Sequence, residues 1–298
     1  MHNPCMKTVR PTTPPQGMAI ACILGSCLSL QFGAALATQL FPAAGTWATA
    51  SLRLLIAALI LFAFARPRFW EWSAAQWRGV CLLGLTMSGM NGSFYAGIAT
   101  IPLGTAVTIE FLGPLLLAAV LSRSLRDATS VALAMIGMAL LAVDSLTGEP
   151  LDPKGVLFIL IAGAFWAGYM MANKHVGALV PGQGGLAVSL AVGGLILMPL
   201  GWRGSVSILT DFSLLWLAIG TAILASLIPY SLELIAMRQL QPNVFAIFMA
   251  LEPAFAATIG WIVLGQDPSL LKIAAIALVI LASVNQSVGG RRLRRRRR

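Results

Sequence analysis

Four ionisable side chains lie well inside long apolar runs: Arg53, Glu110, Glu233 and Glu252. A charge at the centre of a membrane-crossing helix costs on the order of 3 kcal/mol, so such residues face a cavity or a partner. A carboxylate in a partly dry cavity can hold a proton in one state and an organic ammonium in another. An arginine there can pair with a glutamate or grip a carboxylate, and near a span end it can snorkel to the interface. Glu233, towards the end of its run, has the same escape. For Glu110 and Glu252 the alternative is structural, a protonated carboxyl tying helices together by hydrogen bonds.

Asn91, Tyr95, Trp166 and Tyr169 are candidates to line the same cavity, with packing as their alternative role. Pro114, Pro229 and Pro253 fall within apolar runs, where a proline frees a backbone carbonyl and kinks the helix. Other chemistries lack their residues. His2 and His175 lie outside the apolar runs, and Cys5, Cys22, Cys27 and Cys81 show no paired spacing. The cysteines read as small buried hydrophobes, so neither a metal nor a cofactor is expected. The chain has no Gly-Lys-Ser/Thr phosphate loop, no Gly-x-Ser-x-Gly elbow and no His-Glu-x-x-His helix. It is expected to be neither ATP-driven nor an enzyme.

The elements that must position these residues are helices in a bilayer. The chain is 58% hydrophobic and 10% charged, with a mean hydropathy of +0.86, where soluble domains carry about 25% charged residues. Apolar runs near 18–40, 46–65, 79–98, 102–121, 128–144, 155–173, 185–201, 213–236, 242–264 and 270–288 predict ten transmembrane helices. They lack the period-2 alternation of a membrane barrel, so the fold class is all-α. Residues 1–17, polar and proline-rich, are expected to form a disordered tail. Lys7, Arg10 and Ala35-Leu36-Ala37 imitate a signal peptide, but cleavage would break the repeat described below.

Orientation follows from the basic residues. With the N-terminus inside, the inner segments hold 16 of the 20 Lys and Arg and the outer loops hold Lys154, Arg203 and Lys272; Arg53 is within a span. Both termini are therefore expected in the cytoplasm. The arginine-rich tail over 289–298 reads as an anchor to anionic lipid rather than a nucleic-acid site.

The strongest pointer to transport is self-similarity. Pro102 opens a run carrying Glu110 and Gly113-Pro114, and Pro242 opens one carrying Glu252-Pro253. Superposing Pro114 on Pro253 aligns the run entries to within one residue. Two five-helix halves, 18–145 and 150–288, follow. Five is odd, so the second half enters the membrane inverted, and inverted repeats place a site near the midplane between the halves.

The segments Ser93-Phe94-Tyr95, Ile101-Pro102-Leu103-Gly104-Thr105-Ala106-Val107, Glu110-Phe111 and Gly113-Pro114, with Pro229-Tyr230-Ser231-Leu232-Glu233, Met249 and Glu252-Pro253-Ala254, resemble the threonine/homoserine exporter branch of the drug/metabolite transporter superfamily, the EamA type. The likeness spans residues 18–288. It implies a bacterial inner-membrane location and export of small zwitterionic amino acids, with Glu110, Glu233 and Glu252 at family positions. A proton is the expected co-substrate. One departure is Leu264-Gly265-Gln266, where the family has a glutamate after the glycine; Asp267 is the candidate to replace it.

Overall fold

A proline near a helix start, an aspartate or serine before one and a glycine after one determine where many of these helices begin and end. The computed structural model describes residues 16–122, 125–147, 150–180, 182–239 and 248–296. The first stretch gives α1 (Gln16–Thr38), α2 (Phe41–Ala65), α3 (Ala74–Ile98), α4 (Leu103–Glu110) and α5 (Leu112–Ser122). Then come α6 (Leu125–Thr147), α7 (Pro153–Leu179), α8 (Gly184–Thr210), α9 (Phe212–Ala222), a π-helical turn over Ile223–Leu227 and α10 (Ile228–Gln239). The chain ends with α11 (Glu252–Leu264) and α12 (Leu270–Arg296).

Ser73 and Gln76 form a reciprocal capping box at the start of α3, which satisfies amides that have no partner inside the helix. Asp152 accepts from the amides of Lys154 and Gly155 ahead of α7, where Pro153 occupies the first helical position. Asp211 does the same for Ser213 and Leu214 ahead of α9. Asp152 is held below the ordinary carboxyl range first by the Lys154 amide, with the Thr100 side chain and the Gly155 amide, and Asp211 first by the Ser213 hydroxyl, with the Leu214 and Ser213 amides. Gly265, at φ 66°, ends α11 in the left-handed conformation glycine adopts freely. Within α2, Gly45 is non-helical at φ 78°, so the regular helix begins where the apolar run was expected to, at 46.

Among the described residues, five stretches are long and apolar enough to cross a membrane: Gly17–Thr38, Phe41–Ala65, Pro153–Leu179, Gly184–Thr210 and Phe212–Glu233. Shorter apolar helices cover Leu103–Leu117, Ala128–Leu141, Glu252–Leu264 and Leu270–Ala282. The expected run at 79–98 is helical but is not among them. It carries Thr86, Ser88, Asn91 and Ser93, all buried, because α3 packs against α2, α7 and α8. Large apolar side chains such as Leu59, Phe64, Leu195 and Leu200 point outward, as lipid-facing positions do. The protein is a multi-pass helical membrane protein.

Some boundaries differ from expectation. α8 continues through Pro199 to Thr210, beyond the expected end at 201. Gln16 and Gly17 already belong to α1, and the remainder of the expected tail lies outside the described residues. α12 runs on to Arg296, so the arginine segment begins as a continuation of the helix. α1 packs on α9, α10, α11 and the π turn.

The packing has an internal order. α2 pairs with α8, α6 with α12 and α4 with α11. The α3–α7 contact has its counterpart in α1–α10, and α4 and α5 on α7 correspond to α11 on α1. Exchanging each of the first five stretches with the one five places later maps these contacts onto themselves. The α6–α12 pair is clasped at both ends. Asp144 accepts from Ser269 at 2.5 Å and sits 3.5 Å from Lys272, while Asn285 donates to Thr129 and Ser130 at 3.0 Å.

Small residues allow the closest approaches. A Cβ on Gly113 would lie 1.9 Å from the Gly163 carbonyl oxygen, and one on Gly163 would lie 2.6 Å from that of Glu110. α5 and α7 therefore touch backbone to backbone beside Glu110. Gly104 likewise admits Ala257, whose Cα would be 2.6 Å from an added Cβ. Cys27 is buried and Cys22 half-buried, but Cys81 is exposed on the outer surface of the bundle, against the expectation of burial.

Candidate functional site

Proline chemistry builds the first part of the site. Pro229 has no N–H, so the carbonyl four residues back, that of Ala225, loses its ordinary helical partner. The chain relaxes locally into the π turn, and the Ala225 oxygen accepts from Arg53 Nη1 at 3.2 Å. The other guanidinium nitrogen, Nη2, donates to Asn91 Oδ1. The guanidinium carbon sits 4.7 Å from the centroid of the Tyr95 ring, a cation–π distance. Asn91 in turn donates to the Met87 carbonyl at 2.7 Å and to Tyr230 Oη at 3.3 Å. The Tyr169 ring centroid is 6.0 Å from that of Tyr230, and its hydroxyl accepts from Asn173. Arg53, Asn91, Tyr95 and Tyr169 thus meet in one polar layer contributed by α2, α3 and α7, closed by Tyr230 of α10.

The acids form the adjoining layer. Arg53 is 2% exposed, Glu252 4%, Glu233 6% and Glu110 7%, so neither Arg53 nor Glu233 snorkels. Ser26 of α1 donates to Glu233 Oε1 at 2.9 Å. Gln31 of α1 donates to Glu252 Oε1 at 3.2 Å. Glu110 lies within electrostatic reach of Glu252 and Arg53, and Glu252 within reach of Glu233. Trp166 packs edge-on against Phe111 with centroids 5.2 Å apart and against buried Ile23, Cys27 and Met249. It also packs against the core cluster that holds Tyr95, Tyr169 and Tyr230, so it bridges the two layers. The two ion pairs among the described residues, Arg68–Glu71 and Lys272–Asp144, do not involve Arg53.

Two expectations about the prolines change. Pro253 does not bend a continuous helix: it occupies the first turn of α11, after a break at Ala250 and Leu251. Pro114 stands just after a break at Phe111 that separates α4 from α5. With Pro114 superposed on Pro253 the two breaks coincide, and each puts a glutamate at a helix terminus. The position after Gly265 has a defined partner. Gln266 Oε1 accepts from the Leu103 amide at 2.9 Å, capping α4 from the α11–α12 connection. Asp267 does not substitute; it accepts from the Trp261 indole at 3.1 Å.

Sequence reasoning missed Gln31, Ser26 and Tyr230. Gln31 carries the clearest signal, an amide in the middle of an apolar run. The rule applied to charges, that a polar group inside lipid needs a partner, would have selected it too. Two surface cavities lie elsewhere: one of about 400 Å³ lined by Phe64, Arg68, Trp72 and Gln183, and one of about 500 Å³ lined by Ala44, Trp47, Trp202 and Arg203. None of the three glutamates lines either of them.

Three acids and one arginine buried among the helices of a multi-pass membrane protein are what a membrane transporter requires. Residues 153–285 match the EamA-like transporter family. The chain is 36% identical over 278 residues to the threonine/homoserine exporter RhtA of Salmonella typhimurium, covering 93% of this chain and 94% of that one. It is 35% identical over 274 residues to the RhtA of Escherichia coli, covering 92% of each. The chain belongs to the EamA-like transporter family, in its threonine/homoserine exporter branch. A protein crystal structure with 19% sequence identity shares the fold, with a TM-score of 0.63 over 92% of this chain and 98% of that one.

Proposed function

We propose that this protein is a secondary exporter of small zwitterionic amino acids such as threonine and homoserine, working by alternating access in exchange for protons. The burial of Glu110, Glu233 and Glu252 beside Arg53 carries the reading, and the names of the relatives support the substrate class. The architecture is ten spans in two inverted five-helix repeats. Its support is the exchange symmetry of the contacts, the matching breaks at Phe111 and Ala250, and an odd number of spans per half. The location is the bacterial inner membrane with both termini cytoplasmic, supported by the 16-to-3 distribution of basic residues. The arginine tail meets anionic lipid there.

In this mechanism the arginine layer receives the substrate carboxylate, and the glutamates receive its ammonium or a proton. Asn91, Tyr95, Trp166 and Tyr169 wall the cavity. Rocking of one half against the other exposes the site to each side in turn. A potential of about 100 mV is worth ~2.3 kcal/mol per charge, so one proton entering per molecule exported sustains roughly a 50-fold gradient. Purified protein in liposomes tests this: labelled threonine or homoserine should move against its gradient when a pH gradient is imposed and only equilibrate without one. Transport of unrelated metabolites with no amino acid accepted would reassign the substrate class. Absence of any transport by folded protein would refute the reading.

A further inference from the structure

We propose that Gln31 and Glu252 together form the exchange point at which the α-ammonium of the substrate replaces a proton. This rests on the amino-acid exporter reading above and assigns to Gln31 a direct contact with substrate.

Gln31 on α1 and Glu252 at the start of α11 are 1% and 4% exposed, and one hydrogen bond joins them, from Gln31 Nε2 to Glu252 Oε1. The second oxygen of each, Gln31 Oε1 and Glu252 Oε2, is buried and has no partner among the described residues. Two unpaired acceptors on one hydrogen-bonded pair in a dry interior are destabilising. An amide beside a carboxyl group resolves this in one way when a proton is present. The hydroxyl at Oε2 donates to Gln31 Oε1 while Nε2 donates to Oε1, a closed ring of two hydrogen bonds that satisfies both groups.

The deprotonated pair presents two oxygens that need donors, one of them charged. A primary ammonium, with three N–H groups and one positive charge, donates to both; a hydroxyl has a single proton and a carboxylate has none. In the exchange the O–H bond of Glu252 breaks and its proton passes to water on the side from which the substrate enters. The ammonium takes its place. The pair is neutral with the proton and neutral with the ammonium group, and the substrate carboxylate is balanced by the Arg53 guanidinium. The titratable groups around it are Cys27 from α1, Glu110 from α4 and Glu233 from α10, with Arg53 beyond Glu110. Lys272 of α12 is engaged by Asp144 at the helix end.

The test is counterflow of labelled threonine in liposomes at acidic and alkaline pH, with N-acetylthreonine, which has no ammonium, as competitor. Gln31→Met keeps the shape and removes both the acceptor and the donor to Glu252. It should raise the half-saturating threonine concentration by about tenfold or more. The preference for threonine over N-acetylthreonine should narrow by a similar factor, and the pH dependence should flatten. A folded Gln31→Met protein with wild-type affinity, preference and pH profile would overturn the proposal. If that variant fails to fold, Gln31→Glu keeps an oxygen in place and should retain the preference for threonine; its loss in folded protein would equally overturn it. Failure of the wild-type protein to exchange any amino acid would instead defeat the exporter reading on which the proposal rests.

Discussion

Alanine at position 163 should disturb both the stability of the bundle and the placement of Glu110. The added Cβ would lie 2.6 Å from the Glu110 carbonyl oxygen, about 0.8 Å inside ordinary van der Waals contact. That oxygen is backbone and cannot rotate away, so α4 and α7 must separate by a comparable amount. Overpacking of this kind costs about 1–3 kcal/mol, offset by up to about 1 kcal/mol because alanine replaces glycine within a helix. Gly177, on the same helix with nothing within 4 Å of an added Cβ, isolates that offset and should be neutral or slightly stabilised as Gly177→Ala. Gly168→Ala meets only the Thr86 methyl at 3.2 Å and should fall between them. Thermal unfolding of the purified variants in detergent should rank them 163, 168, 177 from least to most stable. Displacement of Glu110 approaching 1 Å should also lower counterflow by up to about 100-fold. If Gly163→Ala is as stable and active as Gly177→Ala, the backbone contact beside Glu110 does not exist and the geometry of the acid layer is wrong.

Three further outcomes follow from the same structure. Glu252→Gln should insert and fold normally yet lose export driven by a pH gradient, whereas Glu110→Gln should weaken substrate binding about tenfold or more; wild-type affinity and pH dependence in both would make the carboxyls packing elements. Gln266→Leu should destabilise the protein by about 1 kcal/mol through loss of the α4 cap while Gln266→Glu does not, which chemical or thermal unfolding will distinguish. Asp152, through the Lys154 amide first, and Asp211, through the Ser213 hydroxyl first, are held below their ordinary range, so their stabilisation is complete above the unfolded aspartate value of about 4 and is lost as pH falls through the folded one; Asp152→Asn, which still caps, should blunt the acid sensitivity of thermal unfolding.

Much of the architecture was legible because lipid permits few alternatives. Hydropathy located helices at each expected run, with residues 240–247 outside the described set. The run at 79–98 was read from hydropathy too, although it is less apolar than the five stretches long and apolar enough to cross a membrane. What hydropathy could not supply was where a helix stops being regular. The breaks at Phe111 and Ala250 and the π turn before Ile228 each stand two to six residues ahead of a proline. A proline in an apolar run says that a carbonyl will need a new partner. It does not say whether the chain will bend, restart or widen, because that depends on which donor from another helix arrives.

The same reasoning explains which site residues could be found. Charges announce themselves in an apolar run, so Arg53 and the three glutamates were selected at once, while their partners required the third dimension. Ala225 is an alanine whose only polar contribution is a backbone oxygen, and no side-chain inventory would nominate it. Gln266 shows the converse error. Its position was judged by charge, as a missing acid with Asp267 as replacement, when the property in use is an oxygen that can accept from the Leu103 amide. Glutamine and glutamate are equivalent for that purpose. The distinction orders the whole site: where the partner is a fixed backbone donor, an uncharged acceptor suffices. A titratable carboxyl is needed only where the partner must come and go. Glu252, with one oxygen held by Gln31 and the other without a partner among the described residues, is the acid whose surroundings meet that condition most directly.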